Sequence, residues 1–283
     1  MTTDTVPTIK LNDGTAIPQL GLGTARVGDA EIRRNVAQAI DLGYRLIDTA
    51  AKYENEVGVG QGIADALATG IDRDQIYVTT KLRGREQGFA ETKQALESSL
   101  LRLGLDHVDL YLIHWPLPRL NRYVESWNAM EELVAEGKVR TIGVSNFLPG
   151  HLDRLAAESS TVPAVNQIEV HPRLTQREQI EDNARRGIVT QAWSPLANGG
   201  GLLTDGVLLE IAQQHGRSVA QVVLAWHLRQ GLVVVPKASH ADRLRENLDV
   251  FDLKLTPENL AAIATLDSGT RSSGQDPRTH EEF

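Results

Sequence analysis

The chain has 283 residues, of which 41% are hydrophobic, and its formal net charge is −8 at pH 7. This is enough apolar sequence for a large buried core, while the negative charge argues against nucleic acid or an anionic membrane as a partner, and the absence of cysteine excludes disulfides, thiol nucleophiles and thiolate metal sites. Because no apolar run approaches the ~20 residues of a membrane helix and residues 1–7 lack the features of a signal peptide, we predict a cytoplasmic protein.

The predicted elements begin with a small hairpin at residues 8–17, since Asp13-Gly14 is a strong turn signal. Strand-like runs follow at residues 19–21, 46–48, 76–81, 108–114, 139–145, 164–169, 188–193 and 232–235. Helix-like segments lie between them, at residues 29–42, 57–67, 90–103, 124–135, 151–157, 176–186 and 206–230. The alternation favours an α/β fold, a single (β/α)₈ TIM barrel over residues 1–283 whose bottom the hairpin closes. A doubly wound open sheet is the main alternative.

Glycines follow five of the predicted helices, as expected of C-terminal caps, at Gly43, Gly70, Gly104, Gly137 and Gly187. Another cluster, Gly58-Val59-Gly60-Gln61-Gly62, is similar to a dinucleotide-binding fingerprint. It lacks the G-x-G-x-x-G spacing, however, and it falls inside a predicted helix. We therefore predict that these glycines allow two helices to pack closely and that they bind no cofactor.

Polar residues lie where the predicted strands end, which is the edge at which barrel enzymes place their active sites. Asp48, Lys81 and His114 end three of these strands, and Tyr53 follows Asp48 by five residues. The remaining strand ends carry Ser145, Asn146, Gln167, Glu169, Trp193, Ser194, Pro236 and Lys237. A purely structural barrel does not need these side chains, so we predict an active site at this mouth.

The first four side chains suit hydride transfer to a carbonyl, which leaves an alkoxide that needs a proton. Tyr53 can supply that proton, but an unperturbed phenol has a pKa of about 10, so we expect the cation of Lys81 to lower it. Asp48 would hold Lys81 in place, and His114 would orient the carbonyl. Each residue alone has an ordinary structural explanation, whereas all four at successive strand ends favour a function.

Six motifs carry a resemblance to a known family: Gly21-Leu22-Gly23-Thr24, Leu46-Ile47-Asp48-Thr49-Ala50, Tyr53-Glu54-Asn55-Glu56, Ile113-His114-Trp115-Pro116, Ile142-Gly143-Val144-Ser145-Asn146-Phe147 and Pro236-Lys237. Over about residues 8–266 the chain resembles the aldo-keto reductase superfamily, and it is most similar to the bacterial branch that includes 2,5-diketo-D-gluconate reductases. The resemblance implies a monomeric barrel that reduces aldehydes and ketones to alcohols with NADPH. It assigns Asp48, Tyr53, Lys81 and His114 to the family tetrad, with Tyr53 as general acid.

The same resemblance assigns the residues that bind NADPH. Ser145, Asn146 and Gln167 match residues that bind the nicotinamide carboxamide, and Trp193 matches the aromatic that stacks on the ring. The match over the pyrophosphate comprises Ser194, Pro195, Leu196 and the loop with Gly199 and Gly200. At the adenosine end, Lys237 and Arg243 match residues that pair with a 2′-phosphate, and Glu246 and Asn247 match residues that contact adenine. Ala238 stands where the family often has a serine that helps to bind this phosphate, and Ser239 and His240 are assigned to compensate for it. The set is completed by Gly23, Thr24 and Asp48.

The substrate pocket is the least specified part of the prediction. Ala25, Lys52 and Trp115 are assigned to it, and Ala25 stands where animal relatives often have tryptophan, which predicts an open pocket. The segment 274–283 either closes over this pocket or is disordered. A small aldehyde, a dicarbonyl or a keto-sugar would fit such a pocket.

Two other functions remain open for the same barrel. The first is a binding protein that senses a nicotinamide cofactor or docks to a partner without catalysis, because a fold does not fix a function. The second is a metal-dependent hydrolase that uses His114, His171 and Glu169. No His-x-His or His-Glu-x-x-His motif supports it, so we predict no metal site.

Overall fold

The computed structural model describes residues 6–282 of the chain. Ten β-strands and ten α-helices lie within this range. A short antiparallel hairpin comes first, and eight parallel strands follow, each paired with the next in chain order. The hairpin strands are β1 (Thr8–Lys10) and β2 (Ala16–Pro18). The parallel strands are β3 (Leu22–Gly23), β4 (Leu46–Asp48), β5 (Tyr77–Leu82), β6 (Val108–Ile113), β7 (Val139–Ser145), β8 (Val165–Glu169), β9 (Val189–Trp193) and β10 (Val233–Val234).

The first and last parallel strands meet and close the sheet into a barrel. Leu20 forms a parallel bridge with Val234, and the amide of Gly21 donates to the Val234 carbonyl at 2.9 Å. One step further on, the Gly23 amide donates to the Pro236 carbonyl at 3.1 Å. The predicted (β/α)₈ barrel is therefore confirmed, and the open doubly wound sheet is wrong.

The hairpin covers the end of the barrel at which the strands begin. Its residues Leu11 and Ile17 are buried in one apolar cluster with barrel residues that include Leu46, Leu110 and Val165. Leu46 and Val165 are the first residues of β4 and β8. The closed bottom that the sequence predicts is confirmed, and access to the barrel is left at the opposite end.

The helices surround the barrel and bury one face each against it, as Ile32, Val36 and Ile40 do at four-residue spacing in the first helix. Among the described residues, no helix is long and apolar enough to cross a membrane. The helices are α1 (Asp29–Asp41), α2 (Glu56–Leu67), α3 (Phe89–Leu103), α4 (Tyr123–Ala135), α5 (Pro149–Glu158), α6 (Arg177–Arg185), α7 (Gly206–His215), α8 (Val219–Arg229), α9 (Ala241–Leu248) and α10 (Pro257–Ala264).

Two predicted elements differ from the structure. The helix predicted over residues 206–230 is two helices, because Gly216 ends α7 with a φ of 61° and the Ser218 hydroxyl caps α8 by accepting from the Gln221 amide. The strand predicted over residues 19–21 is assigned as β3, Leu22–Gly23, with only a single bridge at Leu20. The five glycines predicted as helix caps all have positive φ, as expected.

The glycine cluster of α2 serves helix packing, as predicted. A Cβ atom at Gly58 would overlap the carbonyl oxygen of Asp29 in α1, and one at Gly62 would overlap that of Arg33. On the other side of α2, a Cβ at Gly60 would overlap the carbonyl oxygen of Leu103 at the end of α3. The backbone of α2 thus lies directly against its two neighbouring helices.

We expect Gly60→Ala to lower the free energy of unfolding by about 1–3 kcal/mol, because the added methyl group meets backbone rather than a movable side chain. Gly150→Ala is the matched control: Gly150 is also helical, but a Cβ there meets nothing within 4 Å. That control should be neutral or stabilising by up to about 1 kcal/mol. Denaturant unfolding measures both, and equal stability of the two variants would contradict the packing role.

Candidate active site

A buried ion pair lies at the open end of the barrel, between β4 and β5. Nζ of Lys81 lies 2.7 Å from Oδ1 of Asp48, which ends β4, and donates to the Thr49 carbonyl at 2.8 Å. Lys81 is fully buried. Burial lowers the pKa of Lys81, but the charge of Asp48 and the phenol of Tyr53 outweigh it and raise that pKa overall. Lys81 is therefore held as a cation.

Tyr53 lies at the end of a 3₁₀ turn (Ala51–Tyr53) that follows β4, with its hydroxyl 3.5 Å from Nζ of Lys81. Burial raises the pKa of Tyr53, Lys81 lowers it and Asp48 raises it, and the net direction is upward. Lys81 thus acts on this pKa in the expected downward direction, but desolvation is the larger effect and leaves the pKa of Tyr53 above its usual value. The phenol consequently stays protonated, which suits a group that must deliver a proton.

His114 follows β6 and completes the group of four. Its ring meets the edge of the Tyr53 ring, with 5.8 Å between the centroids. Its Nδ1 lies 2.8 Å from Oε1 of Glu282, which belongs to the segment predicted either to close over the pocket or to be disordered; proximity to His114 in particular was not predicted. The structure thus brings Asp48, Tyr53, Lys81 and His114 together at one mouth.

A chain of hydrogen bonds connects the ends of β7, β8 and β9 with this group. Nε2 of Gln167 donates to Oδ2 of Asp48 at 2.7 Å, and the Ser145 hydroxyl donates to the Gln167 carbonyl at 2.8 Å. Nδ2 of Asn146 donates to the His114 carbonyl at 3.1 Å, while its Oδ1 accepts from Nε1 of Trp193 at 2.9 Å. These contacts fix the amide and indole groups predicted to face a nicotinamide.

A cavity of about 740 Å³ opens above these residues, a size typical of small-molecule and cofactor sites. The predicted residues that line it are Gly23, Thr24, Ala25, Asp48, Lys52, Tyr53, His114, Trp115, Ser145, Asn146, Gln167, Trp193, Ser194, Pro195, Leu196, Gly199, Lys237 and Arg243. The predicted cofactor residues outside the lining are Gly200, Ser239, His240, Glu246 and Asn247, whose roles stay predictions. Lining residues that the sequence reasoning missed include Arg26, Leu203, Val235 and Ser273.

The loop after β9 is held over one side of the cavity. Arg173 donates to the Gly200 carbonyl at 2.8 Å and to the Gly201 carbonyl at 3.1 Å. On the same loop, Nδ2 of Asn198 donates to the Ser272 hydroxyl at 3.1 Å. The loop predicted to cover a pyrophosphate is therefore joined to the C-terminal tail, by which we mean residues 268–282.

The C-terminal tail closes over the other side of the cavity. The amide and hydroxyl of Ser272 both donate to Oε1 of the buried Glu169, at 2.6 and 2.5 Å. Further along, the His280 ring lies against Trp115, with 4.3 Å between centroids, and Glu282 reaches His114. Of the two alternatives for this segment, closure over the pocket is the one observed; its last residue, Phe283, lies outside the described residues.

The three residues that the metal-hydrolase alternative would need make contacts with other side chains and do not converge on one point. Nε2 of His171 lies 3.2 Å from Oε1 of Glu169, whose carboxylate also holds Ser272 of the tail. His114 faces Tyr53 and Glu282 instead. Within residues 6–282, no group of three or more histidine, aspartate or glutamate side chains is placed to hold a metal ion.

Comparison with known proteins identifies the family. The model of the Aldo/keto reductase family matches residues 19–268, which is most of the chain. The chain belongs to this family. The resemblance read from the six motifs is confirmed at this level, and the aldo/keto reductase is accordingly an oxidoreductase.

Close relatives agree with this assignment. The aldo/keto reductase is 47% identical over 273 residues to an aldo-keto reductase of Mycolicibacterium smegmatis, a match that covers 96% of this chain and 98% of the relative. It is 47% identical to the methylglyoxal reductase DkgA of Yersinia pestis, with 96% of each chain covered. Among solved structures, a variant of Gox0644 in complex with NADPH matches with a TM-score of 0.92 and 42% identity, over 98% of this chain and all of the other.

Proposed function

We propose that this aldo/keto reductase uses NADPH to reduce small aldehydes, dicarbonyls or keto-sugars to alcohols, with Tyr53 as general acid. The observation that carries the proposal is the juxtaposition of Tyr53, Lys81 and Asp48 beneath the cavity, with His114 beside the phenol. A protonated phenol next to a buried cation is suited to give a proton to a developing alkoxide.

The residues of the cavity fit NADPH by their chemistry. The amide and hydroxyl groups of Ser145, Asn146 and Gln167 and the indole of Trp193 lie at one end, matching a planar carboxamide-bearing ring. Lys237 and Arg243 line the same cavity and offer two cations for a phosphate. NADPH, the ligand of the similar Gox0644 variant, is therefore the cofactor that we assign.

Each member of the group of four has a distinct role in the proposed reaction. When bound, NADPH would supply a hydride for the carbonyl carbon, and the Tyr53 hydroxyl would give its proton to the carbonyl oxygen. Lys81 stabilises the tyrosinate that remains, since its Nζ faces that hydroxyl. Asp48 holds Lys81, and His114 orients the carbonyl oxygen toward Tyr53.

The finer assignments are also proposals. We place the chain in the bacterial branch that includes 2,5-diketo-D-gluconate reductases, and the similarity to a methylglyoxal reductase supports a dicarbonyl substrate. Trp115, Ala25 and Lys52, which line the cavity, would contact that substrate. We further propose that residues 1–283 act as a single domain, which the single closed barrel supports, and that the protein is a cytoplasmic monomer.

The test is NADPH oxidation, followed at the nicotinamide absorbance, with a panel of aldehydes, dicarbonyls and keto-sugars. Turnover that depends on both NADPH and a carbonyl supports the proposal. NADPH binding, measured separately by fluorescence, without turnover on any carbonyl would instead favour the non-catalytic binding protein. Loss of activity with a chelator would favour a metal enzyme.

We expect Arg243→Ala to raise the KM for NADPH by about 10- to 100-fold, because a hydrogen bond between charged groups contributes about 1.5–3 kcal/mol. The KM for NADH should stay unchanged, since NADH lacks the 2′-phosphate. Arg245→Ala is the matched control, because Arg245 lies on the same helix α9, pairs with Asp242 and does not line the cavity. An equal change in both cofactors, or in the control, would contradict the assignment.

A further inference from the structure

A hydrogen bond from another strand holds the indole of Trp193 at the open end of the barrel. Its Nε1 donates to Oδ1 of Asn146 at 2.9 Å. Trp193 ends β9 and Asn146 directly follows β7, so the contact passes over the end of β8, which lies between these two strands in the barrel. The ring of Trp115 meets the same indole edge-on, with 6.5 Å between the centroids. The orientation of the indole therefore depends on residues outside its own strand.

The chemistry of its partners fixes which way the Asn146 amide faces. An indole nitrogen can only donate and a backbone carbonyl can only accept, so Oδ1 must face Trp193 and Nδ2 must face the His114 carbonyl, 3.1 Å away. Nδ2 also donates at 3.0 Å to the Ser145 hydroxyl, whose own proton goes to the Gln167 carbonyl at 2.8 Å. Exchanging the two ends of the amide would break these bonds, so the network has one consistent arrangement.

The backbone of Asn146 supports the same arrangement. Its φ is 63°, in the left-handed region that asparagine adopts more readily than most residues. Its backbone amide donates to the Gln167 carbonyl at 2.9 Å, and the residue is only 3% exposed. Asn146 is thus a buried link between the backbone of His114, which follows β6, and the indole of Trp193 on β9.

We propose that Asn146 is a positioning residue that fixes the plane of the Trp193 indole relative to His114. The family resemblance assigns Asn146 to the carboxamide of the cofactor, so this role is a second one, exerted through Trp193. The consequence rests on the proposed function, in which the nicotinamide stacks on the indole and His114 orients the carbonyl. Hydride transfer needs the reacting atoms about 3–3.5 Å apart and aligned, and a misplacement of about 1 Å can cost about 10²-fold in rate.

The hydrogen bond is measured in the whole protein without cofactor, from the indole ¹H–¹⁵N NMR signals of its four tryptophans, with Trp193 assigned by its loss in Trp193→Phe. In Asn146→Gly, which adopts the same positive φ without strain, we expect the Trp193 proton to shift upfield and to exchange with solvent at least about 3-fold faster. Asn198→Gly is the matched control, because Asn198 also has a positive φ, 51°, and lines the cavity, but its Nδ2 donates to Ser272. That control should leave the Trp193 signal unchanged.

A double-mutant cycle separates this role from a direct contact of Asn146 with the cofactor. Calorimetry gives the Kd for NADPH of the wild type, Asn146→Gly, Trp193→Phe and the double variant. Phenylalanine keeps an aromatic face but has no N–H, so Asn146 cannot hold it. We expect Asn146→Gly to weaken NADPH binding at least about 3-fold more in the wild-type background than in the Trp193→Phe background. Equal weakening in both backgrounds would mean a direct or merely structural role and would contradict the proposal.

The indole signal alone can also overturn the proposal, if it is the same in the wild type and in Asn146→Gly. Thermal unfolding verifies that Asn146→Gly is folded. If it is not, the wild-type spectrum decides, because a Trp193 proton that exchanges as fast as that of a free indole would exclude the bond. Failure of the proposed function is distinguishable, since it would appear as absent NADPH binding or carbonyl turnover while the Trp193 signal still depends on Asn146.

Discussion

Replacing Tyr53 by phenylalanine should lower kcat for carbonyl reduction by about 10²- to 10⁴-fold, the contribution that a positioned proton donor typically makes. The substitution removes only the hydroxyl that lies 3.5 Å from Nζ of Lys81. It keeps the ring that meets the edge of His114, so the packing of the site and the affinity for NADPH should be preserved. Steady-state kinetics with the best carbonyl of the panel, together with NADPH titration, measure both quantities.

Tyr123→Phe is the control for this experiment. Tyr123 is also buried, but it packs with Phe147 and His151 near the start of α4 and does not line the cavity. Its variant should keep full activity. If Tyr53→Phe turned over as fast as the wild type, another group would be the acid, and if it lost NADPH binding in parallel, its defect would be structural.

Asp48→Asn should lower the free energy of unfolding by about 3–5 kcal/mol, because breaking a buried ion pair leaves a buried charge without its partner. The two carboxylate oxygens of Asp48 accept from Lys81 and from Gln167. Asparagine has one oxygen, so one of these donors would face an NH₂ group. Denaturant unfolding measures the loss, and Asp48→Asn combined with Lys81→Met should recover part of it.

The matched control is Asp65→Asn, which breaks an equally short pair with Arg33 on the surface, where solvent already screens the charges. We expect Asp65→Asn to lower the free energy of unfolding by at most about 1 kcal/mol. Because the pKa of Lys81 is raised above its usual 10.5, the stabilisation that comes from this shift is fully present below pH 10.5 and is lost as pH rises through the folded-state value. Similar losses in both variants would contradict the energetic role of burial.

The sequence was sufficient for the barrel and for the group of four because both depend on local patterns. A short apolar run predicts a buried strand wherever it occurs, and parallel strands bring their ends to the same edge. Asp48, Lys81 and His114 end or directly follow such runs, so their proximity follows from the order of the strands alone. The packing role of Gly60 was equally predictable, because the spacing of Gly58, Gly60 and Gly62 does not match that of a phosphate-binding turn.

Features that depend on long-range packing were not predictable. The contact of Glu282 with His114 joins residues 168 positions apart along a tail that has no regular structure, so no periodicity signals it. The raised pKa of Tyr53 depends on how deeply the phenol is buried, which the sequence does not specify. By contrast, Thr256-Pro257 is a recognisable start signal for α10, and the sequence reasoning overlooked it.

The two strands that close the barrel, β3 and β10, are the shortest of its eight strands, with two residues each. Gly23, the last residue of β3, and Lys237, three residues beyond the end of β10, both line the cavity assigned to NADPH. A cofactor that contacts both residues would stabilise the barrel against local unfolding at this closure, because the strands could separate there only after the cofactor had dissociated. Storage lifetime and resistance to proteolysis should then increase with the concentration of cofactor. Amide hydrogen exchange at Gly21 and Gly23 should slow as a larger fraction of the protein binds the cofactor.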